Sequence, residues 1–354
     1  MYAAFAPFAI AALFAVGPTV AETRVFSFSQ TSSLAEMNEI ATVIGIVADK
    51  PEIALNVEKK TLVLRGTTDQ IAIGTWLLSE LAGPAELPTT TQQGQHPPVK
   101  EYRVSGIDAI HVSYLPNVST PQELTEVVTL VRSTVDIRQL MMSYSRKAMI
   151  ARGTPDQLGL TDWLAGEFSS ADRQSPAQNL RMDQYPAPVS ADPAFPEPSV
   201  VRVYDLAHVA TVSDLQEIVT TARYLGDIRQ LYGYGTGRAI AARGTTDQLA
   251  LVDWLFRDFD SAASRNASNQ PSADKAHEYA MPETGDIARV FYLTSQTPQK
   301  IRETANQIRK VTQIRWLCTY VALRAIAMRG VPQDIAVAEQ IIRDNSRSEP
   351  APLR

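Results

Sequence analysis

The chain is short of the residues from which chemical sites are usually assembled. A single cysteine, Cys318, stands in 354 residues, so no disulfide can close within the chain and no cysteine-based zinc site can be built. The four histidines, His96, His111, His208 and His277, lack the HxxxH or HExxH spacing that brings two imidazoles onto one metal. No GxxxxGK loop and no GxSxG elbow occurs, which removes the familiar routes to nucleotide and acyl chemistry. Excess positive charge is missing too: the net charge is −5. A nucleic-acid binder presents a basic face to the phosphates, so no nucleic acid is expected as a partner. Beyond residue 21 no apolar run is long enough to cross a bilayer. No catalytic residue, no cofactor and no metal is therefore called. With 45% hydrophobic and 20% charged residues, the chain has the composition of a protein that folds around real cores.

The N-terminus points to a compartment. Residues 1–17 form an apolar run without charge, and Thr19-Val20-Ala21 is a small-x-Ala pattern before Glu22. This reads as a signal peptide over residues 1–21, cleaved near Ala21, that exports the chain to the periplasm. Its first residues carry no Lys or Arg; left uncleaved, the segment would be a membrane anchor, the one contact with a membrane that the sequence offers.

The dominant feature is an internal repeat. Four apolar segments end in Arg-Gly and then open a helix: Arg65-Gly66, Arg152-Gly153, Arg243-Gly244 and Arg329-Gly330, at intervals of 87, 91 and 86 residues. The stretches that follow read TTDQIAIGTWL, TPDQLGLTDWL, TTDQLALVDWL and VPQDIAVAEQI. Met37, Leu124, Leu215 and Ile301 each lie 29 residues before their glycine. Such phasing marks a fourfold duplication.

In the third copy, residues 201–206 alternate as a strand and 214–225 carry apolar residues at helical spacing. Two short strands, 228–232 and 238–243, flank a glycine-rich turn at 233–237, and a second helix starts at Thr245-x-x-Gln248, a capping box. The same box occurs at Thr67 and Thr154, while Val331 replaces the threonine in the last copy. The fold class is α+β: four tandem β-α-β-β-α modules, each with two helices on a three-stranded sheet. The expected division is signal peptide 1–21, module one 22–82, linker 83–100, module two 101–168, a Pro/Ser-rich linker 169–199, module three 200–260, linker 261–284, module four 285–345 and a disordered tail 346–354. The phrases KEYRVSG (100–106) and HEYAMPETG (277–285) recur before modules two and four and suggest an extra edge strand there.

Two sets of equivalent residues stand out as candidate interface positions. Trp76, Trp163 and Trp254 share one place in the second helix, and module four has Gln340 there. Either the indole packs its helix on its own sheet, or it anchors a contact between modules or with a partner. Arg65, Arg152, Arg243 and Arg329 share the strand exit. They either pair with a carboxylate or with carbonyls at a chain end, or hold an anion beside a helix N-terminus. Gly233-x-Gly235-x-Gly237 joins two strands, so it reads as a hairpin and not a phosphate loop. Asp108, His111 and Ser113 are close in sequence, but the period of two sets Asp108 on the opposite strand face from the other two. Cys318 takes the place of Tyr232 and reads as a small core residue.

The phrases VRVYDLAHVATVSDLQEIV (201–219) and RAIAMRGVPQDIAVAEQII (324–342) resemble the N-terminal domains of bacterial secretins, the small periplasmic modules that stack into rings below an outer-membrane channel. The resemblance covers 24–82, 101–168, 200–260 and 287–345. It implies a KH-like fold and an assembly role through strand edges and helix faces. The chain departs from that family in having no series of alternating strands for a membrane barrel, and it lacks the GxxG loop with which KH domains clamp RNA. The function expected is therefore a non-enzymatic exported scaffold or adaptor that binds envelope or secretion components, or itself. The alternative is a periplasmic binding protein that captures a peptide or an anionic ligand between modules.

Overall fold

The computed structural model describes residues 21–29, 32–82, 98–104, 106–170, 180–189, 199–209, 211–235, 239–267, 277–281, 283–293 and 295–347. The leader (all but Ala21), most of the linkers, the 236–238 part of the glycine-rich turn and the end of the tail lie outside these residues. Two compact units are present, one up to Pro84 and one from Ala85 onward.

The first unit is one module: β1 (Glu22–Ser27), α1 (Leu34–Val47), β2 (Glu52–Asn56), β3 (Thr61–Gly66) and α2 (Thr68–Ala82). Its antiparallel sheet has the order β1-β3-β2. Met37, Ile40, Val43 and Ile44 of α1, Leu62 and Leu64 of β3, and Ile71 and Leu77 of α2 are buried. Gly74 lets α2 lie directly on β3, since a Cβ there would stand 2.4 Å from Leu64 Cδ2.

The second unit holds three modules. They comprise β4 (Val99–Arg103), β5 (Ala109–Tyr114), α3 (Pro121–Val135), β6 (Gln139–Ser143), β7 (Ala148–Gly153) and α4 (Pro155–Ser169); then β8 (Arg181–Pro186), β9 (Val200–Asp205), α5 (Val212–Leu225), β10 (Gln230–Tyr234), β11 (Ala239–Gly244) and α6 (Thr246–Ala267); then β12 (His277–Ala280), β13 (Ile287–Tyr292), α7 (Pro298–Val311), β14 (Trp316–Tyr320), β15 (Ala325–Gly330) and α8 (Pro332–Arg347). The four-module α+β architecture is that expected, with one correction. The sheets of modules two to four have four strands, in the orders β4-β5-β7-β6, β8-β9-β11-β10 and β12-β13-β15-β14. The extra strand is the leader, β4, β8 or β12. Strands β8 and β12 fall inside segments read as linkers, and α6 also runs on into the third of these. Such short, half-exposed strands carry little periodic signal of their own; the unpaired edge of the following strand orders them.

Helix starts follow the capping boxes. Thr67, Thr154 and Thr245 each accept from the amide of Gln70, Gln157 and Gln248, whose side-chain oxygens accept in return from the threonine amides. Each glutamine also donates to a carbonyl, of Asp49, Asp136 or Asp227. Those three aspartates turn the chain with φ of 62°, 57° and 50°, a conformation that Asp tolerates better than most residues. Val331 offers α8 no such oxygen. Val331→Thr is expected to stabilise the chain by about 1 kcal/mol and to raise its melting temperature by about 2–4 °C, measured by calorimetry.

Candidate interfaces between modules

Each module first ties its own first strand to its own second helix. In module three the Asp253 carboxylate on α6 accepts from Arg202 on β9 and, at 2.8 Å, from the Tyr204 hydroxyl. In module two Asp162 on α4 meets His111 Nδ1 at 2.6 Å and accepts from Ser113 Oγ at 2.7 Å. Glu339 accepts from Arg289 at 2.7 Å in module four, and Thr75 from Arg24 at 3.3 Å in module one. These four helix positions all lie nine residues after the Arg-Gly glycine. In modules two to four a carboxylate is the hub of the group; in module one a threonine hydroxyl takes its place. In module two Ser113 donates to the acid and not to the imidazole, so no base is set to activate the serine, as a hydrolytic triad requires. Asp108 stands apart, with Oδ2 at 3.9 Å from Arg152 Nε. Burial, and then the adjacent Asp253 carboxylate, push the Tyr204 hydroxyl far above the ordinary tyrosine range.

The second unit is then built by sharing cores. Residues of α3 and α4 pack together with Val201, Val203, Ala239 and Ala241 of the next sheet. Residues of α5 and α6 pack with Ala288, Val290, Ala325 and Ala327 of the sheet after that. Each of these helix layers is covered on one side by its own sheet and on the other by the back of the following one. The alanines of the RAIA phrases explain the fit: small side chains on the outer sheet face let the preceding helices approach closely. A sheet covered on both faces reads as a continuous apolar run, as in residues 239–242, all of which are buried.

Two of the four candidate arginines, Arg243 and Arg329, sit at these joints. Arg243 is 0% exposed. Its guanidinium donates to Ser199 Oγ at 3.1 Å, to the Pro188 carbonyl at 2.7 Å and to the Thr134 carbonyl at 3.3 Å. Thr134 lies in the last turn of α3, in the preceding module, where carbonyls have no helical partner and the helix dipole is negative. Arg329 repeats the contact one module later. It donates to the Leu225 carbonyl at 3.1 Å, at the end of α5, and to Asp286 at 3.2 Å, and its guanidinium stacks 4.4 Å from the Trp316 ring. Arg65, in the first unit, pairs with Glu52 across the strands at 3.5 Å and is 58% exposed. Between the two readings, the geometry at Arg243 and Arg329 is that of carbonyls at a helix C-terminus. A buried Arg243 meets no anion from solvent.

Aromatic pairs flank the same joints. Trp163 on α4 stacks on Tyr185 of β8, with centroids 5.3 Å apart, and Trp254 on α6 on Tyr279 of β12, at 5.7 Å. In both cases the indole lies against the leader strand of the next module. Tyr185 and Tyr279 face equivalent residues, Val201 and Ala288. Trp76 holds the same place on α2 and is half-buried. A second pair recurs: Phe168 meets Tyr234 edge-on at 5.5 Å, and Phe259 meets Tyr320 at 5.4 Å. Burial raises both tyrosine hydroxyls, Tyr234 to about 12. Sequence reasoning did not find the helix-two carboxylates or the leader tyrosines. The former were visible as the acid before Trp in TDWL and VDWL; of the latter, Tyr279 stood in a recurring phrase and Tyr185 in a segment read as a linker.

Cys318 faces Ala327 as Tyr232 faces Ala241, and burial pushes its thiol up to about 11. At pH ~8 only about one molecule in a thousand would carry the thiolate that reacts. A disulfide reagent is therefore expected to label the native chain far more slowly than the denatured one, followed by absorbance. Among the described residues no group of three His, Cys, Asp or Glu is placed to hold a metal ion, and no helix is long and apolar enough to cross a membrane.

No model of a known protein family matches the chain, and no curated protein matches it. Several solved structures show weak likeness, among them the following three. Aeromonas hydrophila ExeD is 12% identical over 68% of this chain and 42% of its own, with a TM-score of 0.15. The ETEC pilotin–secretin AspS–GspD complex gives 12%, 66%, 37% and 0.15 in the same order. Aspartate kinase from Synechocystis gives 10%, 94%, 56% and 0.17. The chain spans less than two thirds of each of these proteins, and at such scores the likeness carries no functional weight.

Proposed function

We propose that the chain is a non-enzymatic scaffold or adaptor of the bacterial cell envelope, exported by residues 1–21, whose stacked modules present strand edges and helix faces to protein partners or to further copies of itself. The observation that carries this reading is the joint formed by buried Arg243 and repeated at Arg329. It fixes successive modules to one another through a helix C-terminus, which is the construction of a stacked repeat and not of a cleft that opens around a substrate. The polar groups that could have formed a reactive site are instead used to hold strands to helices. Arg65, 58% exposed, is the candidate position most open to outside contacts.

The test is to express the full chain with a C-terminal tag in a Gram-negative host, release the periplasm by osmotic shock and weigh the product by mass spectrometry. The expected result is periplasmic protein lacking the residues up to Ala21. Light scattering of that product, across concentrations, should then show a defined oligomer or a stable complex with an envelope protein. Cytosolic protein of full mass, or turnover of a small substrate by the purified chain, would overturn the proposal.

A further inference from the structure

Each joint in the second unit has two halves, one on a helix layer and one on the outer face of the next sheet. An arginine of the sheet donates to the last turn of the preceding helix, Arg243 to the Thr134 carbonyl and Arg329 to that of Leu225. Thr134 and Leu225 each lie 19 residues before the Arg-Gly glycine of their own module. At the second joint two more groups of α5 reach the sheet. Glu217 accepts from the Val321 amide at 3.0 Å, and the Tyr224 hydroxyl donates to the Arg315 carbonyl at 2.6 Å.

Module four carries the helix half of this joint, and its groups face solvent. Val311 stands 19 residues before Gly330, ends α7 and is 62% exposed. Glu303 and Lys310 take the places of Glu217 and Tyr224 and are exposed, as is Val337 on α8 in the place of buried Leu160 and Leu251. Module one carries the sheet half. Arg65 takes the place of Arg243 and Arg329, Val57 that of Val321, and Pro51, beside exposed Glu52, that of Arg315. On the face opposite buried Leu62 and Leu64, Val25 pairs with Val63 as Val203 does with Ala241 and Val290 with Ala327. Val25 is 61% exposed, where Val203 and Val290 are buried.

We propose that these halves meet between copies: module four of one chain docks on the outer sheet face of module one of a second copy and repeats the joint made within the chain. The chain itself identifies the occupant, because it carries both partners of each contact. The α7 C-terminus, the negative end of the helix dipole, offers carbonyls to Arg65. Glu303 offers an acceptor to the Val57 amide, and Lys310 a cation to Glu52. Such a head-to-tail contact closes into a ring or runs on as a filament. It is weaker than the joints inside the chain. Asn345 replaces Phe168 and Phe259 and donates to Thr304 and Gln307, so this layer is wetter, as suits a surface that also meets solvent. The inference names one partner for the scaffold reading and rests on that reading.

The experiment measures the mass of the chain from residue 22 onward by sedimentation across a range of concentrations, alone and as two variants. Arg65→Glu spoils the sheet half and Val337→Glu the helix half. Both positions are exposed, so the circular dichroism of each variant should match the wild type. The wild-type mass is expected to rise with concentration, and each variant alone to associate about tenfold or more weakly. An equimolar mixture of the two variants should regain a species of two chains and stop there. Each variant brings one intact half to that species, and the two spoiled halves repel; a misfolded variant could not restore it. A wild-type chain that stays single at every concentration, an oligomer that either variant leaves intact, or a mixture without the two-chain species would each overturn the proposal. A single chain that still forms a complex with an envelope protein would overturn this contact and leave the scaffold reading standing.

Discussion

Arg243→Ala is expected to lower stability by about 3 kcal/mol and the melting temperature of the chain by roughly 10 °C. The substitution leaves Ser199 Oγ and the Thr134 and Pro188 carbonyls without the donor that now meets them. Unsatisfied buried acceptors carry the desolvation penalty in full. Arg243→Lys should recover only part of the loss, because one ammonium on a flexible stem does not reproduce a planar fork with three separate acceptors. Arg65→Ala, at the exposed equivalent position, should change stability by less than about 0.5 kcal/mol. Thermal melts of the three variants decide between the two roles weighed for these arginines. An Arg243→Ala protein as stable as the wild type would return Arg243 to the ligand-binding reading.

Asp253→Ala is expected to be nearly as severe, at about 2–4 kcal/mol, since it strands a largely buried guanidinium at Arg202 and the buried hydroxyl of Tyr204 together. Thr75→Ala, which removes only a neutral partner of Arg24, should cost about 0.5–1 kcal/mol. The aspartate variant also has a pH signature. Tyr204 has a raised folded value, so the stability it contributes is complete below the unfolded tyrosine value of about 10 and is lost as pH rises through the folded value. Tyr234 and Tyr320 are raised by burial and act in the same direction. Alkaline unfolding should therefore begin above pH ~10. In Asp253→Ala the Tyr204 ionisation should move down, because its acidic neighbour is gone, and alkaline difference spectroscopy reads this directly. An unchanged tyrosine titration would mean that the carboxylate does not act on Tyr204.

Much of the fold was legible because its signals are local. The Arg-Gly phasing, the Thr-x-x-Gln boxes and the helical spacing of residues such as Leu215, Ile218, Val219 and Ala222 are short-range patterns, and one chain repeats them in register. The leader strands were less legible. Tyr102 and Tyr279 stood in recurring phrases, but Tyr185 lay in a segment whose Pro and Ser content marks a linker, and only pairing with β9 makes that segment a strand.

The sequence by itself determined the β-α-β-β-α core of the module, its copy number and the scarcity of residues for metal or nucleophilic chemistry, since each of these follows from composition, spacing and capping within a few residues. Only the tertiary structure decided where the repeated residues lie and what they touch. Arg243 and Arg65 occupy equivalent positions and read alike, yet one is sealed against the end of a helix in the preceding module and the other lies in solvent. That difference arises from contacts between residues about a hundred positions apart, and an amino-acid pattern with a period of three or four carries no record of them.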